Sequence, residues 1–281
     1  MAIKVAVWNV EGRLSGYVRN GRGSAEQILG GIALLDADVV VLPEAFLEAP
    51  ADGVDDQLAA MGYAIRDIAY GDNDRDWSQE FMGKMGYLRV LSRLAISQVE
   101  EVAWGGTRQQ LSMRITDPET NKEVLFLPTH LDDRSEALRL DQADDASTYI
   151  QAADMPTVML GDFNAMWHKK RARLFGSRVV RRIAGLIPHE RIRNKALQFA
   201  DMASGLVLRQ LAREAGLRDA DPHLRPTVTP KMRAAPYLPS VPLGQIDHIL
   251  LTDDIEASNF EVNADGGSDH RAVSAVLHIR R

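Results

Sequence analysis

The stretch Thr157–Asn164 constrains the fold most strongly, because a short apolar run ends there in a glycine, a carboxylate and a carboxamide. Its length, between Pro156 and Gly161, is typical of a buried strand. Side chains two apart on a strand point the same way, so Asp162 and Asn164 can face one site if the extended conformation persists. The carboxylate can accept a proton from water and the amide can hold the water or an oxyanion, although an isolated pair of this kind is more often an ordinary turn.

Three other apolar runs also end in polar side chains. These runs and their polar ends are Ile3–Val10 with Asn9 and Glu11, Val39–Leu42 with Glu44, and Val124–Leu127 with His130. Apolar residues at helical spacing behind a capping serine predict helices over Ser24–Leu35 and Ser135–Ala153. Further predictions are a polar loop at Gly71–Trp77, a strand region at Leu88–Ile96 and a hairpin from Leu111–Ile115 to Val124–Leu127.

The C-terminal part of the chain places an acid, Asp247, inside the apolar strand Gln245–Leu251. A buried acid costs several kcal/mol unless it is paired or hydrogen-bonded, so Asp247 requires a partner. The turn before the predicted last strand, Val273–Ile279, supplies His270. A hydrogen bond from Asp247 would fix the tautomer of His270 and favour its protonated form, which gives a cation suited to a phosphate.

The composition is that of a globular protein with 281 residues, of which 45% are apolar and 26% charged. We expect one α/β domain over residues 1–281, with a basic helical insertion at about 165–205. The absence of cysteine excludes disulfides, thiolate metal sites and a cysteine nucleophile. The N-terminus lacks a signal-peptide pattern and no apolar run approaches the roughly 20 residues of a membrane span, so we expect a cytoplasmic protein.

The segment Ala165–Ala200 differs in charge from the rest of the chain. It holds ten basic residues against one acid, so its net charge is near +9 and the remainder is near −15, within a total of −6. Apolar residues recur between its arginines at helical spacing, which predicts a cationic amphipathic helix. The residues of this apolar stripe are Phe175, Val179, Ile183 and Leu186.

Three roles remain open for this basic helix. Its apolar stripe could pack on the domain while its arginines are solvated, its arginines could bind nucleic-acid phosphates, or the helix could lie on an anionic membrane. The arginines predicted to contact phosphate are Arg178, Arg181 and Arg182.

With these residues in place, the chain resembles the endonuclease/exonuclease/phosphatase superfamily. The motifs that carry the resemblance occur in the order expected for that superfamily, and together they are far more specific than any one alone. They are Trp8-Asn9, Pro43-Glu44, Thr129-His130, Gly161-Asp162-Phe163-Asn164, Ile246-Asp247 and Ser268-Asp269-His270. The resemblance implies a four-layer α/β sandwich, in which two mixed sheets pack face to face with helices outside. It also implies hydrolysis of a phosphate ester by activated water, with Mg²⁺ as the usual metal and Mn²⁺ as a substitute.

The resemblance also implies a role for each motif residue. Glu44 is expected to be the main metal ligand, with Asn9 and Asp269 near the metal or its waters. Glu11 stands where some members carry a second acidic ligand, so one metal or two metals are both consistent with the sequence.

The remaining motif residues are implied to act on the substrate. Asp162 is expected to orient or deprotonate water, with Asn164 beside it on the phosphate. His270, held by Asp247, would bind the scissile phosphate, and His130 would stabilise the transition state or the leaving oxygen. Hard oxygen ligands and cations around a phosphoryl group suit this chemistry.

The substrate is less constrained than the reaction. Ala45-Phe46-Leu47 follows the metal-binding glutamate where AP endonucleases usually carry a polar, lysine-containing segment, which disfavours abasic-site repair. We therefore carry three hypotheses: a Mg²⁺-dependent nuclease acting on DNA or RNA, a phosphatase or phosphodiesterase acting on a small or lipid-borne phosphate, and an inactive member that only binds nucleic acid or a partner. The intact set of acids and histidines argues against the third, and the sequence predicts no obligate protein partner.

Overall fold

The structure is a computed structural model that describes residues 2–15, 24–46, 49–69, 87–105, 108–133, 135–167, 178–228, 244–263 and 266–280. The predicted loop at 71–77 and Phe175 lie outside these residues. The strands are β1 (Ile3–Val7), β2 (Val39–Leu42), β3 (Ala64–Ala69), β4 (Tyr87–Ser92), β5 (Ile96–Trp104), β6 (Arg108–Thr116), β7 (Glu123–His130), β8 (Thr157–Asp162), β9 (Arg218–Asp219), β10 (Asp247–Leu251), β11 (Ile255–Val262) and β12 (Val273–Ile279). The helices are α1 (Ala25–Leu35), α2 (Val54–Ala60), α3 (Glu136–Ala153), α4 (Arg178–Gly185), α5 (Glu190–Met202) and α6 (Leu206–Glu214), with a 3₁₀ turn at Arg13–Ser15.

These strands form two six-stranded sheets, in the orders β11-β12-β1-β2-β4-β3 and β5-β6-β7-β8-β10-β9. Each sheet mixes parallel and antiparallel pairs, because β1 runs parallel to β2 and β7 runs parallel to β8. Parallel neighbours bring their carboxyl ends to the same edge of a sheet. The polar residues that follow these four strands therefore meet at one end of the molecule.

Alternating side chains of the central strands are buried in different apolar clusters. Val5 and Val41 lie with Leu160 in the cluster that joins the two sheets. Ala6 and Val40 face the other way and pack with α1 and α2. Helices α3 and α6 cover the outer face of the second sheet. The predicted four-layer sandwich is thus confirmed, and burial on both faces explains why the central strands are continuous apolar runs.

Local sequence signals account for most element boundaries. Ser24 caps α1, since its hydroxyl accepts a hydrogen bond from Gln27 N and the Gln27 side chain accepts one from Ser24 N. The predicted hairpin is confirmed as β6 and β7. The strand region predicted at Leu88–Ile96 is confirmed as far as Ser92, where β4 ends, and the chain then crosses to the other sheet at β5. A turn stabilised by the Ser92 hydroxyl, which bonds both backbone groups of Leu94, separates the two strands.

No helix among the described residues is long and apolar enough to cross a membrane.

The division of the chain into one domain over residues 1–281 with a basic insertion at about 165–205 stays a prediction.

Candidate active site

Asp162 lies at the centre of the predicted site, at the carboxyl end of β8. Its neighbours in register are His130 at the end of β7 and Asp247 at the start of β10. The Oδ2 atom of Asp162 lies 3.9 Å from His130 Nε2 and 4.0 Å from His270 Nε2. The sheet therefore brings together two acids and two histidines that are far apart in the sequence.

Gly161 explains why the apolar run breaks before Asp162. Its φ is +154°, and a Cβ built on it would lie 1.8 Å from the carbonyl oxygen of Thr129. No side chain can be accommodated at that separation, so the close approach of β7 and β8 requires glycine. A glycine at this point sets His130 beside Asp162 in the parallel register.

Three residues around the site have left-handed backbone conformations. The φ angles are 49° for Glu11, 50° for Glu44 and 47° for Asn164. Such conformations cost about 1–3 kcal/mol for a non-glycine residue and persist only where surrounding contacts enforce them. One such contact is the hydrogen bond of 2.6 Å from Gly12 N to Glu44 O, which joins the loops after β1 and β2.

The left-handed turn changes how Asn164 reaches the site. Strand β8 ends at Asp162, so the two side chains do not share an extended segment as the sequence predicted. Asn164 N donates to Asp162 Oδ1 at 2.8 Å, and its side-chain amide donates to the carbonyl of Leu131 at 3.0 Å. Asn164 thus fixes Asp162 and links the loops after β7 and β8.

Asn9 is buried between the two central acids. Its Nδ2 donates to Glu44 Oε1 and to Asp162 Oδ2, both at 3.0 Å. Its Oδ1 accepts from Glu11 N at 3.1 Å, which fixes the orientation of the amide. Asn9 is therefore beside the predicted metal ligands, but its amide oxygen is turned to the backbone and its amino group holds the two carboxylates together.

The acids of the cluster are harder to ionise than free carboxylates. Desolvation, together with the charges of Asp162 and Asp269, raises the pKa of Glu44 to about 7 despite the hydrogen bond from Asn9. Desolvation and the charge of Asp247 raise the pKa of Asp162 to about 6. A carboxyl group with a pKa near neutrality can exchange a proton readily at neutral pH.

His270 is paired with Asp247, as the sequence predicted. Its Nδ1 lies 2.9 Å from Asp247 Oδ2 and 3.2 Å from Oδ1. Burial lowers the pKa of His270, but the charge of Asp247 and this hydrogen bond outweigh burial and, with Asp269 and Asp162 nearby, raise the pKa well above its ordinary value. His270 is therefore a cation at neutral pH, with Nε2 4.0 Å from Asp162 Oδ2.

His130, Asp269 and Glu11 complete the cluster. His130 Nε2 lies 3.9 Å from Glu44 Oε1 as well as from Asp162 Oδ2. Asp269 Oδ1 lies 3.8 Å from His270 Nε2. Glu11 is tied to the loop around it, because its Oε2 accepts from Arg13 Nη2 at 2.5 Å and from Asp269 N at 3.4 Å.

Three further side chains form hydrogen bonds that hold the predicted site residues, and the motifs did not assign them this role. The Thr227 hydroxyl accepts hydrogen bonds from the backbone of Ile246 and Asp247. The Ser268 hydroxyl donates to Asn9 O at 2.7 Å and accepts from His270 N at 3.1 Å. Trp8 Nε1 donates to His270 O at 3.2 Å. Trp8 and Ser268 stand inside predicted motifs, whereas Thr227 carried no sequence signal.

A second histidine–aspartate pair lies next to the first and was also missed. His248 Nδ1 lies 2.6 Å from Asp219 Oδ2, and His248 Nε2 lies 2.9 Å from Ala165 O. Burial lowers the pKa of His248, but Asp219 and the Ala165 carbonyl outweigh it, so that the pKa is raised. Both ring nitrogens face acceptors, so both bonds form only in the protonated imidazole. This cation fastens the loop after Asn164 to β10.

The cluster fits a divalent metal with hard oxygen ligands. Glu44 and Asp162 converge on one amide nitrogen, and Asp269 lies beside them. Burial raises the pKa values of all three acids, and the neighbouring negative charges raise them further. Such a cation would relieve the crowding, and carboxylate oxygens are the ligands that Mg²⁺ prefers. Among the described residues, Asp162, Asp247 and His270 also each place a potential ligand atom within 4.8 Å of the others. A protonated His270 cannot ligate a metal, so Glu44 and Asp269 suit that role better.

The predicted phosphate-binding arginines lie on α4, outside this cluster. Arg182 is exposed, and Arg178 and Arg181 belong to the same helix. Residues 168–177 of the basic segment lie outside the described part of the chain.

Similar proteins share this architecture. An endonuclease/exonuclease/phosphatase protein from Beutenbergia cavernae has 21% identity and a TM-score of 0.65, over 99% of this chain and 72% of that one. An AP endonuclease from Archaeoglobus fulgidus has 14% identity and a TM-score of 0.61, over 99% and 100%. The Bacteroides thetaiotaomicron mannosyl-6-phosphatase Bt3783 has 15% identity and a TM-score of 0.58, also over 99% and 100%.

At these identities, similarity to the solved structures shows only that the fold is shared. Among curated proteins, no match is found. A family model with the description Endonuclease/Exonuclease/phosphatase family matches residues 6–270, a span that contains all six motifs. The motif residues meet at one end of the two sheets, and the family's sequence pattern matches nearly the whole chain. This protein therefore belongs to the endonuclease/exonuclease/phosphatase family of phosphate-ester hydrolases.

Proposed function

We propose that this protein is a Mg²⁺-dependent phosphodiesterase that hydrolyses its substrate with an activated water, and that Mn²⁺ can replace Mg²⁺. The observation that carries the proposal is the position of His130 and His270, whose Nε2 atoms both lie within 4.0 Å of Asp162 Oδ2 beside Glu44. Acids that can bind a metal and accept a proton thus stand next to groups that can bind phosphate.

In this proposal Asp162 accepts the proton of the attacking water, for which a pKa of about 6 is suitable. His270, kept protonated by Asp247, binds a phosphoryl oxygen and neutralises charge that grows in the transition state. His130 donates a hydrogen bond to the phosphate or to the leaving oxygen. Asn9 and Asn164 hold Asp162 in place through the bonds they donate to its two oxygens. Glu44 and Asp269 would hold the metal, and Glu11 would support Asp269 through the hydrogen bond from the Asp269 backbone. When bound, the metal supplies Lewis-acid polarisation of the phosphate.

DNA or RNA is the substrate that the charge of the basic segment favours, because a net charge near +9 over Ala165–Ala200 suits contact with a phosphate backbone. A second candidate is a small or lipid-borne phosphate ester. The exposure of apolar residues on α4 favours the lipid-borne form. A cytoplasmic location is part of the proposal and comes from the sequence alone.

The test is a substrate panel assayed with Mg²⁺, with Mn²⁺ and with EDTA. The panel contains single- and double-stranded DNA, RNA, inositol phosphates, sphingomyelin and a generic bis-phosphodiester. We expect metal-dependent hydrolysis of at least one diester, and loss of that hydrolysis in Glu44→Gln, because removing the ligand charge weakens binding of a hard cation. Full turnover by metal-stripped protein in EDTA would show that the proposal is wrong.

A further inference from the structure

The three stripe residues that the structure describes do not pack on the described part of the protein. The exposed fractions are 65% for Val179, 60% for Ile183 and 81% for Leu186, which lies in the turn that ends the helix. Of the three roles left open for the basic helix, packing of the stripe on the domain does not agree with these exposed fractions. Scattered exposed apolar residues are normal in globular proteins, but three on one face form a patch.

The direction of this stripe follows from helix geometry. Each residue of an α-helix turns by about 100°, so Ile183 and Leu186 lie within about 40° of Val179 around the axis. Ala184, which is 4% exposed, is rotated by about 140° from Val179 on the same scale. The helix thus rests on the protein through its Ala184 side and turns the stripe to solvent.

One described basic side chain lies beside the stripe. Arg182 is exposed and lies about 60° from Val179 around the helix. Arg178 and Arg181 precede it in the same helix, and the segment around them is near +9. An apolar face beside an exposed arginine, in a segment with a net charge near +9, is complementary to the surface of an anionic lipid bilayer. Apolar side chains enter the acyl boundary there and cations meet the headgroups.

We infer that α4 docks this protein on anionic membranes by inserting Val179, Ile183 and Leu186 below the headgroups. Nucleic acid could use the arginines, but its phosphate backbone offers no burial to three exposed aliphatic side chains. The inference concerns binding and does not depend on the catalytic proposal.

The docking helix is connected to the loops of the candidate site. Helix α4 packs on α5, where Met202 O accepts a hydrogen bond from Met166 N at 2.8 Å and Gln198 donates to Asp133 O. Met166 belongs to the loop that carries Asn164, and Asp133 belongs to the loop that follows His130. If the second candidate substrate of the proposed function is the right one, docking would bring the site to a phosphate ester borne by the membrane.

The test measures cosedimentation with vesicles of phosphatidylcholine alone and of phosphatidylcholine mixed with phosphatidylserine. The Glu44→Gln variant serves as the parent for all measurements, so catalytic activity plays no part. We expect the parent to bind the anionic vesicles and not the neutral ones. Replacing Val179, Ile183 and Leu186 with Ser should weaken binding at least about tenfold, through lost apolar burial. Arg182→Gln should weaken it about fivefold.

The matched control is Leu34→Ser, since Leu34 is 88% exposed on α1, away from the basic segment. It should leave vesicle binding unchanged. Circular dichroism of each variant checks that the fold is retained. The inference is overturned if the parent does not sediment with anionic vesicles, or if the triple substitution binds them as well as Leu34→Ser does. It is also overturned if Arg182→Gln weakens binding to a DNA or RNA duplex and the triple substitution leaves vesicle binding intact, which would assign the helix to nucleic acid.

Discussion

The two histidine–aspartate pairs are neighbours, yet their second ring nitrogens face different surroundings. Asp247 and His248 are consecutive in β10, so their side chains point to opposite faces of the sheet. Asp247 holds Nδ1 of His270, whose Nε2 faces Asp162 at 4.0 Å and Asp269 at 3.8 Å. Asp219 holds Nδ1 of His248, whose Nε2 is bonded to the carbonyl of Ala165 at 2.9 Å.

This difference shows that pairing alone does not make a histidine available for chemistry. In both pairs a carboxylate overcomes burial and keeps the ring protonated. His248 uses both nitrogens inside the protein and has no exposed surface, so it can only hold the chain. His270 retains 10% of its side-chain exposure, and its second nitrogen points to the acids of the candidate site.

The largest expected effect is on turnover. His270→Ala and Asp162→Asn should each lower kcat by at least about a hundredfold, because they remove an electrostatic stabiliser or a general base. His248→Gln and Asp219→Asn should leave kcat within about threefold, since these groups lie outside the proton path that we propose. Steady-state kinetics on the best substrate of the panel, with folding checked by circular dichroism, makes the comparison. Equal losses in both pairs would mean that the distinction between them does not hold.

Sequence reasoning could find the site pair because it had two signals. An acid inside an apolar strand required a partner, and Ser268-Asp269-His270 supplied one after a glycine turn. The four-layer fold was implied by the resemblance that the ordered motifs carry. These features depend on local pattern, which the sequence displays directly.

The second histidine–aspartate pair and the exposure of the α4 stripe could not be predicted in this way. His248 beside Asp247 has the pattern of an ordinary core histidine, and Asp219 is separated from it by 29 positions without a motif. Helical spacing identified an apolar stripe, but whether that stripe is buried depends on the tertiary contact made by Ala184. Likewise, the amide orientation of Asn9 depends on Glu11 N, which only the folded loop brings into place.

Smaller effects are expected on the free energy of unfolding. Replacing the acid of the second pair should lower it, whereas replacing Asp162 of the candidate site should not. Asp219→Asn should lower the free energy of unfolding by about 2 kcal/mol, because it weakens a charge-assisted hydrogen bond to a buried cation. Asp162→Asn should be neutral or stabilising near pH 8, since the pKa of Asp162 is raised to about 6 and ionising it therefore costs energy in the folded protein. Urea denaturation of both variants and the parent, without added metal, measures this difference. If Asp162→Asn is the more damaging of the two, Asp162 has a structural role that its pKa does not reveal.

The smallest effect concerns the pH dependence of stability. The folded pKa of His248 is raised above the ordinary value of about 6.5, so its protonated form contributes stability that is complete below that pH and is lost as the pH rises through the folded pKa. The difference in unfolding free energy between the parent and His248→Gln should therefore be larger at about pH 6 than at about pH 9. Glu44 and Asp162 titrate in both proteins, so their contributions cancel in this difference. A difference that stays constant or grows as the pH rises would mean that His248 is neutral when folded.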